Sequence, residues 1–383
     1  MKKELPRRGF IAGILSSAAT FAVTPLIAAV SSLKRTFESK AFNEMSTIKS
    51  IRPMGFQWDT TDPFLFCVHH EDFFPKGNEQ MGPDPSMLEG RHMGDDFIIK
   101  DGFRMYHGKT IPGFPGHPHR GFETITIVRK GLIDHADSMG AAGRYGDGDV
   151  QWMTAGKGVQ HSEMFPLIHQ DKENTTELFQ IWLNLPKKNK MVNPHFKMLW
   201  KENIPNEMIT DNSGKKSLVE VIAGRLNNSV APLPPPDSWA ADPANEVAVW
   251  NIKMEAGAVF HLPKVSEGIN RTIYFYEGEL LNIAGTNVTQ YHLVELQTNL
   301  DVRIKAESGN ARVLLLQGKP IGEQVMQYGP FVMNTKEEIN QAFQDYHTTQ
   351  FGGWPWPRFD QVHPRDKKRF AKHADGSLEE KDS

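Results

Sequence analysis

An all-β chain built from barrels is what this sequence predicts, and three observations carry the prediction. Short runs of β-branched and aromatic residues are punctuated by glycine turns rather than alternating with helical periods, as at Thr124–Val128, Leu132–Asp137 and Val150–Met153. A second β-rich region begins near Ser217, and Ile127–Leu132 (IVRKGL) resembles Phe275–Leu280 (FYEGEL), which suggests a diverged internal duplication. Finally, His117 with His119, and His161 with Glu163, are two pairs of ligand-type side chains at i and i+2, bracketing one continuous strand-and-turn stretch. On a strand that spacing points both members of a pair to the same face.

With 383 residues the chain is long enough for two domains, and nothing in its net charge of −3 points to a nucleic-acid surface. Cys67 is the single cysteine, so no intramolecular disulfide and no thiolate zinc cluster is available. Within Phe64–Val68 it reads as a small buried hydrophobe, despite the adjacent His69-His70.

Residues 1–32 combine a basic start, Arg7-Arg8, Phe10-Ile11 and an uncharged run from Gly9 to Val30. This is the pattern of a twin-arginine signal peptide, which implies the twin-arginine export machinery as a partner and a periplasmic location. If uncut, the run is long enough to anchor the chain in the inner membrane; failing both, the protein stays cytoplasmic. Residues 33–50 read as a polar linker, with the folded part starting near Ile51.

Asp62–Pro75 holds a short apolar strand that runs into acidic and aromatic residues, and residues 76–116 read as a long loop around a short strand at Phe97–Ile99. His92 and His107 lack a partner at ligand spacing there and read as surface residues. After the central stretch, Glu177–Asn184 alternates as a strand ended by Pro186, and Phe196–Trp200 follows. The second region offers strands at Ser217–Ala223, Ala248–Met254, Ala258–Leu262, Thr272–Tyr276 and Arg312–Leu316, with Pro232–Pro236 as a surface loop. His261 stands alone in it, so that barrel is expected to be metal-free. Thr335–Asp345 is the one helix expected: Asn334 or Thr335 can cap it, Glu337-Glu338 suit its N-terminal end, and Ile339 with Phe343 make an apolar face. Trp354-Pro355-Trp356-Pro357 is placed against the domain, and the charged segment beyond Arg365 is expected to be mobile.

If the strands bearing the two ligand pairs lie side by side in one barrel, three imidazoles and a carboxylate converge. That set leaves positions open on a six-coordinate metal, which suits Fe(II) ahead of Mn, Ni, Cu or Zn and differs from a closed structural zinc site. Glu123 shares strand parity with His117 and His119 and is the rival carboxylate. Arg120, Phe122, Trp152 and Met153 flank the ligands as candidate pocket residues; parity puts Trp152 and Met153 on opposite faces.

Several of these segments together resemble the pirin family. The Asp62-Pro63-Phe64-Leu65 opening, His117-Pro118-His119-Arg120-Gly121-Phe122-Glu123-Thr124, Gly148–Gly156 followed by Gly158 and His161-Ser162-Glu163, and Tyr328–Asn334 are similar to that family's motifs, over roughly residues 50–335. The resemblance implies two consecutive cupin barrels (double-stranded β-helix, jelly-roll) with a short C-terminal helix: an N-terminal metal-binding barrel over 51–200, a C-terminal metal-free barrel with helix over 201–350, and a tail over 351–383. It implies iron bound by His117, His119, His161 and Glu163. By analogy with bacterial pirin-like proteins it also implies quercetin 2,3-dioxygenase chemistry on a small aromatic substrate and O2, with Glu163 as the base for the flavonol 3-hydroxyl. The alternative is an iron-dependent redox sensor or regulatory binding protein. A monomer and no nucleic-acid partner are expected.

Overall fold

Strand-forming runs bounded by glycine turns fold into two barrels in the computed structural model, which describes residues 47–382; the expected leader at 1–32 lies outside the described residues. In the first barrel a six-stranded sheet runs in the order His195–Leu199, Val150–Thr154, Phe122–Lys130, Asn174–Asn184, Phe64–Phe74, Gln57–Trp58. It faces a second sheet ordered Leu378–Glu380, Phe370–Lys372, Ala142–Gly146, Leu132–Asp137, Val159–Met164, Gly113–His119. In the second barrel a seven-stranded sheet containing Asn206–Thr210, Lys216–Ala223, Ala248–Met254, Ala311–Gly318 and Asn270–Glu277 faces a four-stranded one. Two cupin barrels, with one α-helix among the described residues, make the chain a bicupin.

The two large sheets pack against each other, which explains why their strands are apolar on both faces. Ile125, Ile127, Val150, Trp152, Phe179 and Ile181 of the first barrel meet Val249, Tyr274, Tyr276, Leu314 and Leu316 of the second in one buried cluster. The alternate residues Val128, Met153 and Leu178 point into the first barrel. A strand buried on both sides loses the polar alternation of a half-exposed one. Cys67 belongs to the cluster between the barrels, as a small hydrophobe should.

The duplication is visible in the pairing. Phe122–Lys130 pairs with Val150–Thr154 and Asn174–Asn184, and Asn270–Glu277 pairs likewise with His292–Leu296 and Ala311–Gly318. The glycines of the two similar hexapeptides, Gly131 and Gly278, both take positive φ at the hairpin that follows.

Both ends of the fold depart from the expected boundaries. Ile48–Pro53 starts three residues before Ile51 and pairs with His292–Leu296, so the first described strand completes the second barrel. The C-terminal segment returns to the first barrel: Phe370–Lys372 pairs with Ala142–Gly146, and Arg144, buried, is held by Asp134 and by the carbonyls of His363, Pro364 and Lys367. The tail is therefore structured beyond Arg365. Its charges misled because they alternate with the anchors Phe370 and Ala371, both buried. Phe97–Ile99 forms no strand; Asp96 and Lys100 make isolated bridges, and Ile98 is exposed. The loop also ends earlier than expected, since the next strand begins at Gly113. The helix Lys336–Thr349 is capped by Thr335, whose side chain accepts from the backbone N–H of Glu338 while the Glu338 carboxylate returns the bond.

Candidate metal centre

Two antiparallel strands bring the histidines together. Gly113–His119 pairs with Val159–Met164 so that His117 lies opposite His161 and Phe114 opposite Glu163. The register slips by one residue between Phe114 and His117, a bulge at Pro115-Gly116. A Cβ on Gly116 would sit 2.6 Å from the Phe359 ring, so the C-terminal segment closes onto this bulge only because the residue is glycine. Beyond the bulge His117 and His119 share a face, as do His161 and Glu163, and both faces look into the barrel.

The ligand atoms of His117, His119 and His161 lie within 4.8 Å of one another. Glu163 is close by, with Oε2 3.8 Å from His161 Nε2. The carboxylate accepts the Thr126 hydroxyl at 2.9 Å on Oε1, while the Gln180 amide lies 3.4 Å from Oε2. His117 donates Nδ1–H to the Pro115 carbonyl at 3.0 Å, which leaves its Nε2 with a free lone pair. Nδ1 of His119 and both ring nitrogens of His161 are buried without any hydrogen-bond partner. Buried polar atoms are rarely left in this way unless something absent from the protein completes them. Burial lowers the His117 pKa to about 4 and those of His119 and His161 well below the usual histidine range. At neutral pH the three rings are thus unprotonated, the state in which imidazole binds a metal. Burial raises the pKa of Glu163.

A cavity of about 230 Å³ opens onto the cluster. Its walls are mainly aromatic and aliphatic, with Phe66, Phe114, Phe165 and Trp182 prominent, and its polar groups are the histidines, Glu163, Thr126 and Gln180. This is the composition of a small-molecule site: apolar walls with a few placed polar atoms.

Glu123 is not at this centre. Gly121, at φ +87°, turns the chain between the two strands and resets the parity count, so Glu123 faces the other barrel. There it accepts the Thr154 hydroxyl at 2.6 Å and the Ser238 hydroxyl at 2.5 Å. The flanking residues expected in the pocket also point elsewhere. Arg120 pairs with Asp345 at 2.7 Å and stacks over Phe351, fixing the helix to the first barrel. Trp152 and Met153 do face opposite ways, into the interbarrel cluster and the barrel interior, but neither lines the cavity, and Phe122 packs behind Trp182 at 4.2 Å between ring centroids. His107, read as a surface residue, is exposed but contributes to the cavity rim.

Sequence reasoning missed His70 and His135. His70 lines the cavity, on the same strand face as Phe66 and Val68. The signal was the i, i+2, i+4 series from Phe66, obscured by the tempting neighbours Cys67 and His69. His135 is fully buried beside His161 at 5.6 Å between ring centroids, its Nε2 3.3 Å from Asp137.

Comparison with known proteins agrees with this architecture. Residues 81–183 match the family model described as Pirin, and residues 249–352 match the one described as Pirin C-terminal cupin domain. A pirin-like protein of Caulobacter vibrioides is 37% identical over 260 residues, covering 68% of this chain and 88% of that protein. A Pseudomonas aeruginosa protein that carries quercetin 2,3-dioxygenase as a provisional name is 37% identical over 242 residues, covering 62% of this chain and 79% of its own length. Among solved structures, a quercetin 2,3-dioxygenase from Acinetobacter baumannii superimposes with a TM-score of 0.60 at 27% identity, covering 80% of this chain and 96% of that one.

Proposed function

The chain belongs to the pirin family, and from that premise we propose that it is a metal-dependent dioxygenase acting on a flavonol such as quercetin or a similar hydroxylated aromatic. The observation that carries the reading is the set of three neutral imidazoles beside an aromatic cavity, with the ring nitrogens of His161 and Nδ1 of His119 left without a hydrogen-bond partner and a buried carboxylate next to them. His117, His119, His161 and Glu163 would hold the metal, Fe(II) before Mn, Ni, Cu or Zn. When bound, the metal supplies Lewis acidity toward the substrate oxygens and the dioxygen chemistry that the side chains lack.

The rest of the chemistry falls to the chain. Phe66, Phe114, Phe165 and Trp182 bind a planar ring and exclude water from it. Glu163 takes the proton of the substrate hydroxyl: burial raises its pKa, so the carboxylate is a stronger base than a surface glutamate. Thr126 and Gln180 keep its oxygens turned toward the cavity, the single Thr126 hydroxyl proton being shared between Glu163 Oε1 and Gln180 Oε1, at 2.9 and 2.7 Å.

Oxygen uptake by protein purified anaerobically and loaded with Fe(II), with quercetin added, tests the proposal together with elemental analysis of untreated protein. Uptake that depends on the metal and disappears in His119→Ala is the expected result. One equivalent of bound iron without turnover would favour the redox-sensing or binding role instead. The proposal includes export by the twin-arginine route, resting on Arg7-Arg8 and the uncharged run after it. Arg7→Lys with Arg8→Lys should retain the protein in the cytoplasm, and unchanged export measured by cell fractionation would rule that route out.

A further inference from the structure

We propose that His70 selects the substrate: it presents a fixed hydrogen-bond acceptor on the cavity wall remote from the three-histidine cluster, and this acceptor takes a phenolic hydroxyl of the bound aromatic. The inference rests on the reading of the cavity as an aromatic-substrate site and adds the determinant of which aromatics enter.

The argument starts from Asp72. Its carboxylate accepts four donors: the Arg104 backbone N–H at 2.8 Å, Arg104 Nε and Nη2 at 3.0 Å each, and the Tyr106 hydroxyl at 2.5 Å. Burial raises the Asp72 pKa, but its four donors, two of them from a guanidinium, oppose that and keep the carboxyl ionised, with no proton to give back. Tyr106 therefore commits its own proton to Asp72, and its oxygen keeps only lone pairs. His70 Nδ1 lies 3.0 Å from that oxygen, so Nδ1 must carry the ring proton. Burial holds the imidazole neutral, with a pKa of about 3. One tautomer follows: Nδ1–H toward Tyr106, and a bare lone pair on Nε2.

Among the described residues no group donates to that Nε2, and His70 lines the cavity. The ring is also held in orientation, since Tyr106 stands edge-on to it at 4.9 Å and Phe56 at 5.8 Å. Phe114 packs beside both polar ends, 6.3 Å from His117 and 6.2 Å from His70 between ring centroids. A ligand that meets both the three histidines and His70 therefore lies against this ring. What suits that placement is a flat ring system with a hydroxyl donor at its far end; a carbonyl or ether oxygen there would meet lone pair with lone pair.

The experiment compares quercetin, which carries hydroxyls on its outer rings, with 3-hydroxyflavone, which keeps the 3-hydroxyl and 4-carbonyl but lacks them. In His70→Leu the ratio of kcat/KM for quercetin to that for 3-hydroxyflavone should fall about tenfold, the value of one well-placed hydrogen bond, with the change concentrated in KM. His70→Gln, whose amide oxygen is also an acceptor, should keep most of the preference. Tyr106→Phe, which leaves Nδ1–H without its acceptor and frees the other tautomer, should lose part of it. An equal fall for both substrates in His70→Leu would overturn the proposal, because a merely structural role weakens both alike. If wild-type protein turns over neither compound, the dioxygenase reading fails by itself. Equilibrium binding of the same two compounds to metal-loaded protein, measured by isothermal titration calorimetry, then decides the matter: a quercetin preference lost in His70→Leu supports the assignment, and one retained overturns it.

Discussion

The two barrels share one pairing plan and fill it with opposite materials. In the first, the strand pair Gly113–His119 and Val159–Met164 sets His117 against His161 across the interior. In the second, the corresponding pair Val259–Leu262 and Val302–Ser308 sets Phe260 against Ile304. Around Phe260 and Ile304 the second interior is closed by Trp250, Ile273, Phe275, Leu281, Val294, Val313 and Leu315. His261, the one histidine on that strand pair, points outward and is exposed. The same backbone thus supports either a hydrocarbon core, which stabilises, or a hollow lined with imidazoles, which costs stability and permits chemistry.

His161→Leu tests this contrast most severely. It converts the polar floor of the first barrel toward the material of the second. Metal retention and turnover should both be lost, as read by elemental analysis and oxygen uptake. The metal-free protein should melt no lower than metal-free wild type, because two unsatisfied buried nitrogens are removed along with the ligand. A large fall in the melting temperature of the metal-free variant would show that the imidazole is a packing element after all.

The converse change, Phe260→Ala, should destabilise the protein by about 3–4 kcal/mol, the usual cost of removing a buried aromatic, without altering metal stoichiometry. Denaturant titration and elemental analysis read the two quantities separately. Loss of metal in this variant would mean that the two interiors are coupled through the packed sheets.

What the sequence disclosed depended on how far each feature reaches along the chain. The i, i+2 pairs at His117 and His161, the duplicated hexapeptide and the Thr335 cap are all local, and local patterns survive without knowledge of the fold. Features made by distant segments were illegible. Strand parity carried Glu123 toward the histidines, and only the positive-φ turn at Gly121 shows that the count restarts there. His70 gains its tautomer from Asp72, two residues along its own strand, only through Tyr106, which reaches both from a separate segment. The exchange of termini, Ile48–Pro53 to the second barrel and Phe370–Lys372 to the first, has no local signature, because an edge strand looks the same whichever sheet receives it.

Glu123 offers the finest test, since it lies between the barrels rather than inside either. Burial moves its pKa from about 4.5 to about 7, with the Ser238 and Thr154 hydroxyls holding it partly back. Below pH 4.5 the carboxyl is protonated in both folded and unfolded chains, and its contribution to stability is complete. Between 4.5 and 7 the folded protein keeps a proton that the unfolded chain has released, so stability falls as pH rises, by roughly 3 kcal/mol at most. Above 7 the folded carboxyl has ionised too and the slope ends. Glu123→Gln has no proton to lose, so it should melt above wild type at pH 8. At pH 4.5 its second amide N–H, which has no acceptor in a pocket built for two hydroxyl donors, should set it level or slightly lower. Metal content should not change, because this residue faces away from the histidines. Parallel stability curves for the two proteins from pH 4.5 to 8 would show that Glu123 is ionised throughout, and that the junction between the barrels tolerates a buried charge.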